Sequence, residues 1–162
     1  MRRSIFSFAV AAFVIATPAL AGETLTNQAA RVTVTVPDNW KAKPNGEELT
    51  LMDKKEDTAV ALTLIDSGDL KDASKRLGAS LSSKIQKLVW IKEEKVDVNG
   101  MKGIELIGDG RLDGKDIDLA VLILDTPNPD KDLLVLAIAE DAVLAKHKGE
   151  IKFVFRNLKP IK

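Results

Sequence analysis

The sequence predicts an α+β fold, an antiparallel β-sheet of about six to seven strands flanked by two amphipathic helices. Three observations indicate this fold class. Short apolar strands follow one another with two-residue turns between them, which is typical of antiparallel pairing. Two segments, 70–88 and 144–158, have apolar residues at helical spacing. Each of these helices needs a sheet face on which to bury its apolar stripe.

The first residues have the order of parts found in a secretory signal peptide. Arg2-Arg3 forms a short positive segment, and an almost unbroken apolar run follows over 5–16. A proline and then the small residues Ala19 and Ala21 meet the signal-peptidase rule. The apolar run is shorter than the roughly 20 residues that a membrane span needs. These features indicate a cleaved leader and not a membrane anchor.

We therefore predict a signal peptide over 1–21, cleavage after Ala21 and a mature N-terminus at Gly22. The mature chain, 22–162, is predicted to be a single domain, periplasmic or secreted, that does not insert into the membrane. The chain has no cysteine, which excludes disulfides and thiol chemistry. It has 24 basic and 24 acidic residues, so nucleic acid is not an expected partner.

The first strands follow from the alternation of apolar and polar residues. Residues 31–36 alternate valine with Arg31 or threonine, which predicts a half-buried strand that ends at Pro37-Asp38-Asn39. Lys43-Pro44-Asn45-Gly46 has the composition of a turn. Two further strands are predicted over 49–52 and 58–65.

The first helix is predicted to begin after Asp69, its N-cap, with Asp72 in the first turn. Its apolar stripe continues as far as Leu88. The basic residues off this stripe form either a docking face or, as the simpler interpretation, a solvated surface. They are Lys71, Lys75, Arg76, Lys84 and Lys87.

Two consecutive hairpins are predicted in the second half of the chain. Strands over 90–98, 103–112 and 115–125 are joined by Asn99-Gly100 and Asp113-Gly114, which are typical of two-residue turns. The second turn sets the register of its two strands. The predicted partners are Leu112 with Lys115, Gly110 with Ile117, Gly108 with Leu119, Leu106 with Val121 and Ile104 with Ile123.

A last strand over 133–139 and a closing helix complete the predicted fold. Asp141 is the predicted N-cap of this helix, and Pro160 is expected to end it. The apolar stripe of the helix comprises Leu144, Ile151, Val154, Phe155 and Leu158.

In this order of elements the chain resembles the PsbP-like family. The segment 32–40 is similar to that family's opening strand with its Pro-x-x-Trp end. The helix over 70–88, the hairpin Val98-Asn99-Gly100 with Gly103, and the helix over 151–158 are similar to its later elements. The resemblance implies a fold shared with a Ran-binding nuclear transport factor and the periplasmic protein DcrB. It also implies proteins that bind or stabilise other proteins, mostly without catalysis, and it supplies no catalytic motif.

Catalytic residues are sparse in the sequence. His147 is the only histidine and is predicted to lie at the surface, where its replacement by alanine has little effect. Ser80, Ser82 and Ser83 are predicted to lie on the first helix and not in a nucleophile elbow. We therefore predict that the protein is not an enzyme and has no cofactor. A small carboxylate-dependent periplasmic hydrolase stays open as the alternative, because 24 acidic residues offer many carboxylate pairs.

An acidic cluster lies at the second hairpin, with Asp109, Asp113, Asp116 and Asp118. Its spacing does not match an EF-hand, because Arg111 occupies the position of the second oxygen ligand. We expect a solvated tip, with Arg111 opposite Asp116, that calcium does not stabilise. Asp109 opposite Asp118 is unusual, because like charges that face each other destabilise a ladder.

The candidate binding surface comprises Trp40, Trp90, Asp109 and Asp118. Each tryptophan either lines a groove or caps the edge of the core. The predicted function is that of an exported, non-enzymatic binding or accessory protein that acts on another protein or an envelope component. A deep cleft with two facing acids would favour the hydrolase, and a shallow apolar or charged patch would favour the accessory protein.

Overall fold

The computed structural model of the protein describes residues 22–162 and, before them, only the backbone of one short strand, 13–15. The predicted cleavage site lies outside the described residues. The strands are β1 Phe13–Ile15, β2 Thr24–Asn27, β3 Val32–Thr35, β4 Lys41–Asn45, β5 Glu48–Met52, β6 Ala59–Asp66, β7 Gln86–Val98, β8 Met101–Leu112, β9 Lys115–Asp125, β10 Lys131–Glu140 and β11 Lys159–Pro160. The helices are α1 Leu70–Ser82 and α2 Asp141–Arg156.

The strands form two antiparallel sheets. The larger sheet has seven strands in the order β4-β5-β6-β10-β9-β8-β7, so β4 and β7 are its edges. The smaller sheet has the order β1-β2-β3-β11. Among the described residues, no helix is long and apolar enough to cross a membrane. The α+β class and the sheet with two flanking helices are as predicted.

The larger sheet is buried on both faces, because α1 and α2 lie on opposite sides of it. Side chains alternate across β9, as strand geometry requires. Val121 and Ile123 pack towards Ala73 of α1. Leu122, between them, belongs to the core shared with Val154 of α2 and with the smaller sheet. Burial on both faces explains why β9 is apolar at nearly every position.

Both predicted two-residue turns are confirmed. Asn99 and Gly100 have φ angles of 53° and 90°, and Asp113 and Gly114 have 51° and 82°. Positive φ at both central residues is the requirement of a type I′ turn, which Asn-Gly and Asp-Gly meet at low cost. The five predicted β8–β9 partners, including Leu106 with Val121, are confirmed as well.

The first helix ends earlier than predicted. Asp69 caps it as expected, since its carboxylate accepts a hydrogen bond from Asp72 N at 3.0 Å. The helix ends at Ser82, however, and β7 already begins at Gln86. Ile85 and Leu88 nevertheless pack in one apolar cluster with Leu81 and Leu119. Their spacing therefore reflects burial and not helical structure.

Two smaller predictions are also wrong. The segment predicted as the turn 43–46 is mostly the edge strand β4, where Pro44 is tolerated because an edge position has no sheet neighbour on one side. Asp141 is the first residue of α2 and not its N-cap, which is Glu140. Strands β2 and β11 are short. β2 pairs with β3, the next strand along the chain, whereas β11 pairs with β3 from the other end of the sequence.

Candidate binding groove

A groove of about 660 Å³ lies between α2 and the face of the sheet formed by β7, β8 and β9. We call it the α2 groove. Its apolar residues come from both walls, because α2 covers β9 but leaves the outer strands β8 and β7 partly open on this face. They include Ile107, Ala120, Leu122, Leu144, Ile151 and Phe155.

The open side of the groove lies along the edge strand β7. Ile91, on this strand, is 65% exposed and lines the groove. Val89, two residues earlier, is 56% exposed but does not line it. Exposed large apolar residues that are rimmed by charge are typical of interaction surfaces.

The α2 wall of the groove carries positive charge. Lys148, Lys152 and Arg156 all line it, and their spacing of four residues places them on one side of the helix. None of them forms an ion pair with another described residue. This row of basic side chains is therefore available to an acidic partner.

The strand wall carries acidic residues, two of which share one lysine. Lys92 contacts the carboxylates of both Glu94 and Glu105, with 3.3 Å between Lys92 Nζ and Glu105 Oε2. Hydrogen bonding to Glu94 raises the pKa of Lys92 and lowers the pKa of Glu94 itself. The helix wall of the groove is therefore basic, whereas the strand wall keeps a net negative charge.

Asp118 lines the groove near the start of α2. Asp109 lies opposite it in the β8–β9 ladder, as the sequence predicts. Burial raises the pKa of the Asp118 carboxyl, and the charges of Asp141 and Asp109 raise it further. Beyond this group, Arg111 and Asp116 form the expected ion pair, with 3.3 Å between Nε and Oδ1.

Trp90 has a packing role in the structure. Its ring lies against two glycines: a Cβ at Gly108 would be 2.7 Å from Trp90 Cε3, and one at Gly78 of α1 would be 3.2 Å from Nε1. Trp90 packs with the apolar residues on the α1 face of the sheet. Trp40 packs on the other face. Of the four residues of the predicted binding surface, Asp109 and Asp118 are therefore adjacent, whereas the two tryptophans lie on opposite faces of the sheet. Asp118 is the one of the four that lines the α2 groove.

The prediction that His147 lies at the surface is wrong. His147 is only 7% exposed, and its ring packs edge-on against that of Trp40 with 6.0 Å between ring centroids. Its flanking lysines are exposed while the stripe of α2 that carries His147 faces the core. Ser80 and Ser82 lie on α1, across the sheet, so the histidine and these serines do not form one site.

Three carboxylates surround His147. Its Nε2 lies 3.4 Å from Asp57 Oδ1 and 3.9 Å from Asp53 Oδ2, and its Nδ1 lies 3.7 Å from Glu150 Oε1. We call these four residues the His147 cluster. Asp53 and Asp57 belong to the loop between β5 and β6, so the cluster joins that loop to α2. No local pattern indicates this contact, because the loop and the helix are far apart along the chain.

Asp53 also holds the loop in its conformation. Its Oδ1 accepts hydrogen bonds from the backbone N–H groups of Asp57 and Thr58, at 3.0 and 3.2 Å, and its Oδ2 accepts one from Lys55 at 3.1 Å. Burial alone raises the pKa of this carboxyl, but the three hydrogen bonds and the charge of His147 outweigh burial and lower it overall.

No protein-family model matches the sequence, and no curated protein matches it either. Solved structures do match. Cyanobacterial PsbP from Synechocystis has a TM-score of 0.61 at 11% identity, with 98% of each chain covered. The Ran-binding protein Mog1p of Saccharomyces cerevisiae has a TM-score of 0.63 at 12% identity, covering 89% of this chain and 97% of that chain.

A third similar structure is LpqN of Mycobacterium tuberculosis, a protein involved in cell envelope biogenesis. Its TM-score is 0.60 at 15% identity, with 79% of this chain and 82% of that chain covered. These matches define the class: the chain has the PsbP-like fold, as the resemblance implied. At such identities the similarity is one of fold, so the function must be argued from the site.

Proposed function

We propose that this is an exported, non-enzymatic accessory protein that binds a segment of another protein in the α2 groove. Export as one domain, 22–162, rests on the signal-peptide pattern of the sequence. The single observation that supports binding is the groove itself, with its apolar residues, its open side along β7 and its basic helix wall.

The chemistry of the groove favours an occupant with apolar side chains next to acidic ones. Apolar side chains would bury against residues such as Ile107 and Leu122. Carboxylates of the occupant would meet Lys148 and Lys152, which have no ion-pair partner in the described part of the chain. A protein segment supplies both groups at once, and such contacts predict an affinity that falls as salt is raised.

The edge of β7 is less suited to binding by strand addition. Its exposed positions include several charged residues, among them Lys87, Glu93 and Lys95, and its pairing with β8 is interrupted by two register shifts. Both features are typical of edges that resist pairing with a further strand. We therefore assign the binding energy to side chains in the groove and not to backbone ladder bonds.

Site-specific photo-crosslinking in the exporting cell tests this proposal. A crosslinker at Ile91 is expected to capture a protein partner, whereas one at Val89, similarly exposed on the same strand, is expected to capture little. The captured protein is then produced separately and its affinity measured with Ile91→Asp and Val89→Asp. Equal capture at both positions, or equal affinity of both variants, would refute binding in the groove.

One observation favours the hydrolase as a second candidate. Asp118 has a raised pKa in the groove, and a protonated carboxyl can act as a general acid. The carboxylates of Asp141 and Asp109, which raise this pKa, lie next to Asp118. In a glycosidase the two carboxylates lie on opposite sides of the scissile bond, so this arrangement differs from a glycosidase site. Hydrolysis of envelope glycans by the wild type but not by Asp118→Asn would establish this function in place of the first.

A further inference from the structure

The His147 cluster contains a polar side chain without a partner. The His147 side chain is 9% exposed, and neither of its nitrogens has a hydrogen-bond partner among the described residues. A buried donor or acceptor left unpaired costs about 1–3 kcal/mol. Nε2 faces the carboxylates of Asp53 and Asp57, so a cation held between this nitrogen and those carboxylates would remove the cost of leaving it unpaired.

The two distances from His147 Nε2 to the aspartates are close to those that a small divalent ion requires. The ligand atoms of Asp53, Asp57 and His147 all lie within 4.8 Å of one another. Zinc binds imidazole nitrogen and carboxylate oxygen at about 2.0–2.2 Å, so two ligands in tetrahedral geometry stand roughly 3.4 Å apart. The distance from His147 Nε2 to Asp57 Oδ1 is 3.4 Å. Asp53 Oδ2, at 3.9 Å from the same nitrogen, needs a shift of roughly half an ångström.

Asp53 keeps an oxygen lone pair for such an ion. A carboxylate offers about four lone-pair sites. Two are used on Oδ1, by Asp57 N–H and Thr58 N–H, and one on Oδ2, by Lys55 N–H. The remaining lone pair is on Oδ2, the oxygen that belongs to the group of ligand atoms around His147.

Glu150 stands on the other side of the imidazole, 3.7 Å from Nδ1. Histidine ligands usually donate their second N–H to a carboxylate, which fixes the tautomer and orients the ring. A side-chain movement of less than about 1 Å would let Glu150 accept from Nδ1 and so leave the Nε2 lone pair free for the metal. It is on the same helix as His147, three residues later, so the helix itself sets this arrangement.

We propose that Asp53, Asp57 and His147 bind a zinc ion, with Glu150 as the residue that orients the histidine. An imidazole ligand favours zinc over calcium or magnesium. The three carboxylates supply more than enough negative charge for a divalent ion. Asp57 is 37% exposed, so solvent can reach the ion from that side and supply the fourth ligand. A bound ion would tie the β5–β6 loop to α2.

Isothermal titration with zinc chloride tests this proposal on untagged protein expressed from the full chain. The wild type is expected to bind one zinc ion, and Asp57→Asn and His147→Gln are each expected to lose at least about tenfold in affinity. Glu150→Gln should weaken binding by about 10- to 100-fold, as expected for a positioning residue. Glu56→Gln, in the same loop but outside the cluster, is the matched control and should bind as the wild type does.

The protein's single histidine makes a second readout unambiguous. Nitrogen-15 spectra of the imidazole should show Nε2 ligated to zinc and Nδ1 protonated. An imidazolium with both nitrogens protonated at neutral pH in the presence of zinc would overturn the proposal and show that an ion pair fills the cluster instead. Absence of zinc binding at micromolar concentrations, or equal affinity in Asp57→Asn and Glu56→Gln, would overturn it as well.

Discussion

Replacement of Asp53 by alanine should destabilise the protein strongly, because one carboxylate holds the whole β5–β6 loop. The change leaves three backbone N–H groups without their acceptor. The Thr58 N–H is buried, and its loss of an acceptor costs about 1–3 kcal/mol. The N–H groups of Lys55 and Asp57 are partly buried and can form hydrogen bonds with water instead, so each costs about 0.5–1 kcal/mol. The expected loss in free energy of unfolding is therefore about 2–5 kcal/mol.

Asp53→Asn separates the two oxygens of this side chain. The amide oxygen can still accept from Asp57 N–H and Thr58 N–H, but its NH₂ group now faces the N–H of Lys55. We expect about half the loss of the alanine variant. Lys55→Ala is the matched control, because its exposed side chain forms no ion pair with another described residue. It should stay within about 0.5 kcal/mol of the wild type.

The assay is urea unfolding at pH 7 with a chelator present, so that any metal effect is removed from the comparison. A loss below about 1 kcal/mol in Asp53→Ala, or equal losses in Asp53→Ala and Lys55→Ala, would refute the reasoning. The two outcomes would mean that water replaces the carboxylate at all three N–H groups.

The same carboxylate predicts a dependence on pH. Because the pKa of Asp53 is lowered in the folded protein, its ionised form stabilises the fold. That stabilisation is present above the pKa of the unfolded chain, about 3.9, and is lost as pH falls through the lower folded pKa. Unfolding measured from pH 6 to pH 2 should show this loss in the wild type and a smaller one in Asp53→Asn.

Three further predictions follow from other parts of the molecule. Gly108→Ala should lower the free energy of unfolding by about 1–3 kcal/mol and shift the fluorescence of Trp90, because a Cβ would clash with that ring. An unchanged emission spectrum would contradict this prediction. Asp118→Asn should raise the free energy of unfolding by about 0.2–1 kcal/mol at pH 7, because it removes a like-charge pair. Since the pKa of Asp118 is raised, this gain should shrink as pH falls and the wild-type carboxyl takes up its proton. A gain that persists at pH 3 would argue against this explanation. The exported protein should have the intact mass of a chain that begins at Gly22, and a full-chain mass would disprove cleavage.

The calcium prediction for the acidic hairpin also stands. A regular strand pair uses its carbonyls in the ladder, and Arg111 forms an ion pair within the cluster, so six oxygen ligands are not at hand. Thermal unfolding in millimolar calcium and in chelator, at matched ionic strength, should give the same midpoint. A rise of several degrees that Asp109→Asn abolishes would contradict this expectation.

The features predicted correctly from the sequence depend on neighbouring residues. The type I′ turns at Asn99-Gly100 and Asp113-Gly114 need residues that accept positive φ, and those residues are visible in the sequence. A two-residue turn then sets the register of the flanking strands, so the β8–β9 partners could be counted from the turn. The N-cap at Asp69 is equally local.

The features that were missed depend on tertiary contacts. The apolar stripe that continues to Leu88 predicts a helix that is too long. Leu88 lies on β7 but is packed in the same apolar cluster as Leu81 of α1, so its apolar character does not distinguish strand from helix. His147 was assigned to the surface from its lysine neighbours, yet its own face of α2 packs on the β5–β6 loop. The α2 groove lies between one helix and three strands, and no local pattern specifies how far the helix covers them.

A charge exchange across the α2 groove tests the central proposal most directly. The affinity of the crosslinked partner is measured with the wild type, with Lys152→Glu, which changes the groove wall, and with Lys146→Glu, which lies on α2 outside the groove. We predict that Lys152→Glu weakens binding at least about tenfold, a loss of ~1.4 kcal/mol, and that Lys146→Glu has a much smaller effect. An acid-to-lysine change in the partner should restore its binding to Lys152→Glu. Equal affinities of the two glutamate variants, with no restoration by the partner variant, would contradict the proposal that the groove is the binding site.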